Sequence, residues 1–194
     1  MNIKGIIPAS LLDWPGRVTA VIFLGGCSWR CPHCHNADIA WKPERVSDIT
    51  LDRFPWNSHI EAVTITGGEP TESMQAVEWL IESSLKEVQI KVDTNGSRPD
   101  NVAALLEYDA VHVEMDIKAP LSNPDLYAKL TGERADLNEV RKSIEILKQT
   151  GPRGMFRTVA HPLLSAEDVR EIWETVSRNP YRVLKFREPS QSCQ

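Results

Sequence analysis

No apolar run in the chain is long enough to cross a bilayer. The longest, residues 18–24, falls far short of the roughly 20 residues that a membrane helix needs. The start, Met1-Asn2-Ile3-Lys4-Gly5, lacks the apolar segment of a signal peptide. The expected compartment is the cytoplasm, where thiols stay reduced. Lysine and arginine form no cluster and the net charge is −5, so neither a nucleic-acid partner nor a membrane partner is expected. There is no low-complexity segment, no obvious linker and no internal repeat beyond a β/α alternation. With 194 residues, one domain spanning residues 1–194 is expected. Cysteine is scarce, with four in the chain. In a reducing compartment, clustered cysteines point to metal or redox chemistry before structural disulfides.

What is present is concentrated. Cys27, Cys31 and Cys34 lie in Gly25-Gly26-Cys27-Ser28-Trp29-Arg30-Cys31-Pro32-His33-Cys34-His35-Asn36, spaced C-x3-C-x2-C. Three thiolates on one tight loop can hold three irons of a cubane, which leaves the fourth iron open to an exogenous amine and carboxylate. Arg30, with the protonatable rings of His33 and His35, offers positive charge around it. Two other chemistries fit parts of the pattern. Cys31-Pro32-His33-Cys34 is also a Cys-x-x-Cys redox motif, although Cys27 is then a superfluous third thiol. A structural zinc site, serving an interaction scaffold, usually joins two separated ligand pairs, whereas here all candidates crowd one loop. Cys193 reads as a free tail thiol.

Apolar content of 41% allows a real core. Residues 1–17, with Pro8, Pro15 and Gly16, read as a turn-rich lead-in. Six β-branched stretches read as strands: 18–24, 62–66, 88–92, 110–115, 155–160 and 181–186. Helical spacing falls at 71–85, 99–107, 125–130, 137–149 and 165–177. Residues 37–60 hold Pro43 and Pro55 and form at most a short helix, which leaves that side of the fold open. Strands alternating with helices imply parallel pairing with right-handed crossovers. Ligands then bind at the carboxyl ends of the strands. The unusual polar residues stand at those ends: the cysteines, Gly67-Gly68-Glu69-Pro70, Asp93-Thr94-Asn95-Gly96, and Asp116 with Lys118. Arg157 lies in the fifth strand, and Arg187 follows the sixth.

The C-x3-C-x2-C loop resembles that of the radical S-adenosylmethionine (SAM) superfamily. Cys34-His35-Asn36, Gly67-Gly68-Glu69-Pro70, Asp93-Thr94-Asn95-Gly96 and Met115-Asp116-Ile117-Lys118 resemble its glycyl-radical-enzyme activating branch. Residues 10–16, with Asp13-Trp14-Pro15-Gly16, and Phe23-Leu24-Gly25-Gly26-Cys27 look most like activating proteins of anaerobic ribonucleoside-triphosphate reductase. The pyruvate formate-lyase activating enzymes are the nearest other relatives. The resemblance implies an α/β fold, a partial (β/α)6 barrel, with a [4Fe–4S] cluster and SAM. It implies reductive SAM cleavage to a 5′-deoxyadenosyl radical that takes hydrogen from a glycine of a partner enzyme. It also implies a one-electron donor such as a flavodoxin or ferredoxin. By the same resemblance Cys27, Cys31 and Cys34 hold the cluster. Gly67, Gly68 and Glu69 meet the methionyl amino group, and the backbone at His33, Cys34 and His35 touches the adenine. Lys118 balances the carboxylate. Asp93, Thr94 and Asp116 surround a monovalent cation. Arg157 reaches the cosubstrate and Arg187 stacks on the adenine. His59, His112 and His161 carry no motif and read as structural or exposed.

Overall fold

The computed structural model describes residues 2–50, 59–84 and 88–189. Cys193 and the expected helix end near residue 85 lie outside them. Seven strands form one sheet in the order β1-β2-β3-β4-β5-β6-β7. They are β1 (Ile3–Ser10), β2 (Thr19–Leu24), β3 (Ala62–Gly67), β4 (Gln89–Thr94), β5 (Val111–Asp116), β6 (Gly154–Ala160) and β7 (Tyr181–Lys185). From β2 to β7 every neighbouring pair is parallel. The crossovers carry α1 (Ala37–Trp41), α2 (Met74–Trp79), α3 (Pro99–Leu106), α4 (Pro124–Thr131), α5 (Leu137–Lys148) and α6 (Ala166–Val176).

All six expected strands are present. The expected helix over 71–85 is instead a 3-10 turn, Pro70–Glu72, then α2, then a π-helical stretch, Leu80–Ser84. In place of a plain lead-in, Ile3–Ser10 forms β1, antiparallel to β2 with register shifts on either side of Gly5–Ile7. Pro8 is tolerated because β1 is an edge strand, where a missing N–H costs no ladder bond. Between β2 and β3 the described residues hold only α1 and the 3-10 turn Pro43–Arg45.

The central strands β2–β5 are buried on both faces, but the faces differ in chemistry. Ile90, Val92, Val111, Val113 and Met115 are buried in the main hydrophobic core. The residues between them, Lys91, Asp93 and Glu114, point to the concave side and are nearly as buried. They survive there because they are paired. Lys91 Nζ lies 2.7 Å from Asp93 Oδ1 and 2.5 Å from Glu114 Oε2. Arg157 Nη1 donates to Asp93 Oδ2 at 2.9 Å and to Glu114 Oε2 at 3.2 Å. Arg182 grips Glu114 with Nε and Nη2, both at 2.6 Å.

The sheet is a partial barrel, not a closed one: β1 and β7 are its two edges. Its curvature brings those edges toward each other. The loop after β1 reaches β7, where Arg182 donates to Leu12 O and Asp13 O, each at 3.4 Å. Trp14 is buried there and packs edge-on to His112, ring centroids 5.1 Å apart. Residues 11–17 are thus a strap across the amino-terminal mouth of the half-barrel. The opposite mouth, at the strands' carboxyl ends, is where the cysteines lie.

Candidate functional site

The cysteine loop leaves β2 through Gly25 and Gly26 and is fastened on three sides. Gly26 has a φ of 90° and its N–H donates to Ile39 O at 2.9 Å. Gly26 O accepts the Glu69 N–H at 2.7 Å, and Leu24 O accepts the Gly68 N–H at 2.8 Å. A Cβ on Gly68 would stand 2.0 Å from Gly26 O, so only glycine lets the two backbones meet. Gly67 has a φ of 115°, and its carbonyl accepts from Asn36 Nδ2 at 2.9 Å. On the second side, Glu72 accepts from Ser28 N at 2.9 Å and from the Ser28 hydroxyl. On the third, α4 receives the loop. Trp29 is buried edge-on to Tyr127, and the Arg30 N–H donates to Thr131 O at 3.2 Å. Gly132, left-handed at the end of α4, leaves room for the Arg30 carbonyl.

Cys27, Cys31 and Cys34 are free thiols, each partly buried. Burial pushes the Cys27 thiol up to about 12, and the Glu69 carboxylate adds to the shift. Burial also raises Cys31 and Cys34, against the pull of Lys118 on both. Thiolates are unfavourable here without a cation to bind them, which suits a positively charged metal group. Among the described residues, no three His, Cys, Asp or Glu side chains converge as ligands of a single metal ion.

Beside the loop lies a cavity of ≈240 Å³. Cys31, His33, His35 and Lys118 line one part of it, and Val159, His161, Leu184, Phe186 and Arg187 another. The His33 ring lies 4.2 Å from His161 and 5.5 Å from Phe186, centroid to centroid. His35 Nε2 donates to Arg187 O at 3.0 Å, tying the loop to the chain after β7. Lys118 Nζ is 2.9 Å from Asp116 Oδ2. Burial opposes the lysine's charge, but Asp116 and Cys31 together outweigh it and raise the pKa. Asp116 Oδ1 is buried with no hydrogen-bond partner among the described residues. A buried polar atom without a partner marks a place for a missing group.

The structure brings His33, His35, Lys118 and Arg187 together at that cavity, with Cys34 on the same loop. Gly67 and Gly68 form the adjacent turn. It turns three of the expected side chains inward. Glu69 is 1% exposed and fully used: Oε1 accepts from Thr71 N, Thr71 Oγ1 and Thr94 Oγ1, and Oε2 from Asn95 N at 2.7 Å. It ties the end of β3 to the end of β4. Asp93 is held by Lys91 and Arg157. Thr94 spends its hydroxyl on Glu69. Arg157 lies deeper than the rim, its Nε 3.5 Å from Asp116 Oδ2. Sequence reasoning missed His161, which lines the cavity, and the Lys91–Glu114–Arg182 pairing beneath it. The period-two alternation Ile90-Lys91-Val92-Asp93 and Val113-Glu114-Met115-Asp116 was the available signal for the latter. His161 sits just past β6, a strand end like the others.

A mostly parallel β/α sheet with three thiols and a largely apolar cavity edged by His and Lys at its carboxyl ends has these groups where such folds bind ligands. The chain belongs to the radical SAM superfamily, whose sequence profile matches residues 21–177. That family implies a [4Fe–4S] cluster and SAM. The chain is 28% identical, over 98% of its length, to a Methanocaldococcus jannaschii protein named for glycyl-radical enzyme activation, covering 81% of that protein. It is 33% identical to the pyruvate formate-lyase-activating enzyme of Staphylococcus epidermidis, over 63% of this chain and 54% of that one. In fold it resembles Streptococcus suis SuiB at a TM-score of 0.63 and 17% identity, covering 88% of this chain and 40% of SuiB. SuiB has also been solved with SAM bound.

Proposed function

We propose that this chain is a glycyl-radical-enzyme activase, cleaving SAM reductively at a [4Fe–4S] cluster on Cys27, Cys31 and Cys34. The observation that carries the reading is the three-thiol loop packed against the Gly67-Gly68 turn and opening on a cavity that holds Lys118. The crowding of all three thiols on one loop, without a second separated ligand pair, counts against a zinc scaffold, and the third thiol against a disulfide exchanger. A [4Fe–4S] cluster held by Cys27, Cys31 and Cys34 would supply, when bound and reduced, the one electron that cleaves SAM to methionine and the 5′-deoxyadenosyl group needed for hydrogen abstraction from a glycine.

The chain's own residues position and enclose. Gly68 lets the turn approach the loop closely enough to share a wall with the cosubstrate. Lys118 faces the carboxylate, and Asp116 Oδ1 accepts a hydroxyl or amine. His33, His161 and Phe186 pack on one another and present an aromatic wall of the cavity to the adenine, with Arg187 at its edge. The Asp93, Thr94 and Asp116 group is poorly placed for a monovalent cation. Lys91 and Arg157 already supply positive charge to Asp93, and Thr94 donates to Glu69. Activity is therefore expected to be the same in potassium, sodium and cation-free buffers.

The partner we propose is an anaerobic ribonucleoside-triphosphate reductase, on the likeness of residues 10–16 and 23–27 to its activators. A formate-lyase-like enzyme is the second reading, favoured by the Staphylococcus relative. The electron comes from a flavodoxin or ferredoxin class donor. The test is anaerobic incubation of the reconstituted enzyme with SAM, reductant and each candidate partner. A glycyl-radical EPR doublet on the reductase supports the first reading, and a doublet on the lyase alone supports the second. SAM cleavage with no doublet on either excludes both partners.

A further inference from the structure

The turn after β4 aims a hydrogen-bond donor at one of the cysteines. Asn95 is 8% exposed, and its Nδ2 lies 3.8 Å from Cys27 Sγ. The amide's orientation is determined by its other half: Oδ1 accepts the Ser97 N–H at 2.8 Å, so the NH2 must face the sulfur. The backbone is pinned on each side. Asn95 N–H donates to Glu69 Oε2 at 2.7 Å, Gly96 N–H to Thr94 Oγ1 at 3.1 Å, and Ser143 Oγ to Gly96 O at 2.7 Å. Gly96 is left-handed, and a Cβ there would stand 2.1 Å from Met115 Cε. The donor is thus held in place before any ligand arrives.

Its surroundings give this donor a task. Lys118 faces both Cys31 and Cys34, with Asp116 also near Cys31, whereas Cys27 faces the carboxylates of Glu69 and Glu72. An N–H bond to a ligating sulfur draws electron density from it and favours the reduced, more negative cluster. In a partly dry site such a bond is stronger than in water.

We propose that Asn95 is a positioning residue that raises the reduction potential of the cluster, through a hydrogen bond from its Nδ2 to the Cys27 sulfur. This rests on the cluster reading above. Asn95→Ser removes the donor. Asn95→Asp keeps the acceptor for Ser97, removes the donor and adds a negative charge. Ser143→Ala loosens the same turn without touching the sulfur. The wild type and the three variants are reconstituted anaerobically, assayed for iron and sulfide, and titrated with reductant while the cluster's EPR signal is followed. The expected result is a more negative midpoint for Asn95→Ser, a still more negative one for Asn95→Asp, and an unchanged one for Ser143→Ala. Unchanged midpoints in both Asn95 variants at full iron content would overturn the proposal. So would an equal shift in Ser143→Ala, or loss of iron from both Asn95 variants, because removing one donor leaves all three ligands in place. A wild type that assembles no [4Fe–4S] group overturns the cluster reading itself.

Discussion

At Gly68 a side chain has nowhere to go, since its first atom would meet the Gly26 carbonyl at 2.0 Å. Gly68→Ala therefore forces the turn away from the cysteine loop. The expected cost is about 3 kcal/mol of stability, read by urea unfolding, together with loss of SAM binding. A variant with wild-type stability and affinity contradicts the packing. Lys118→Met keeps the length and removes the charge, so SAM affinity is expected to fall about tenfold, or roughly 1.4 kcal/mol, by calorimetry. Asp93 gives a pH test. Burial alone would raise its pKa, but Arg157 and Lys91 hold it down at about 2. The folded value is thus below the unfolded value of about 3.9. Its contribution, on the order of 2 kcal/mol, is present above about pH 4 and is lost as pH falls toward 2. In urea unfolding of the metal-free protein, Asp93→Asn is expected to flatten the acid dependence; an unchanged slope counts against the pairing. The cysteines, Gly68 and Lys118 stand out as candidates in sequence because each belongs to a short local motif. The partners of Asp93 do not, because Arg157 reaches it from β6 and Lys91 from its own strand, and sequence spacing does not report which residues meet across a sheet.

Among the elements, α4 bears most directly on the site. Trp29 is buried against its Tyr127, and Thr131 and Gly132 accommodate Arg30. Trp29→Ala is expected to cost about 3–5 kcal/mol and to lower iron retention after reconstitution. Retention equal to wild type would show that α4 does not order the loop. The parallel strands were readable because each is a short β-branched run closed by a turn. β1 was not, because Gly5 and Pro8 interrupt it and only an edge position makes them tolerable. The helix over 71–85 kept its apolar spacing but not its regularity. Pro70 opens a 3-10 turn, and Ser73 begins a new helix without a side-chain cap.

For the whole molecule, the sheet order explains the division of labour between its two mouths. The strap of residues 11–17 joins the sheet's edges at the amino-terminal mouth, through Trp14 and the grip of Arg182 on Leu12 and Asp13. This reads the Asp13-Trp14-Pro15-Gly16 motif as a brace, remote from the cysteines. The ion network of Lys91, Asp93, Glu114, Arg157 and Arg182 fills the concave face between the mouths. The carboxyl-end mouth holds Cys31, Lys118 and the packed rings of His33, His161 and Phe186 around a cavity, with Asp116 Oδ1 nearby lacking a hydrogen-bond partner among the described residues. The superfamily was visible in sequence because its motifs fall at consecutive strand ends. The central claim, SAM cleavage at a cluster on the three cysteines, has one direct measurement. The anaerobically reconstituted wild type and Cys31→Ala are each given SAM and a strong reductant, and 5′-deoxyadenosine is quantified. The account predicts 5′-deoxyadenosine from the wild type and none from Cys31→Ala; intact SAM after incubation with reduced, [4Fe–4S]-loaded wild type would contradict it.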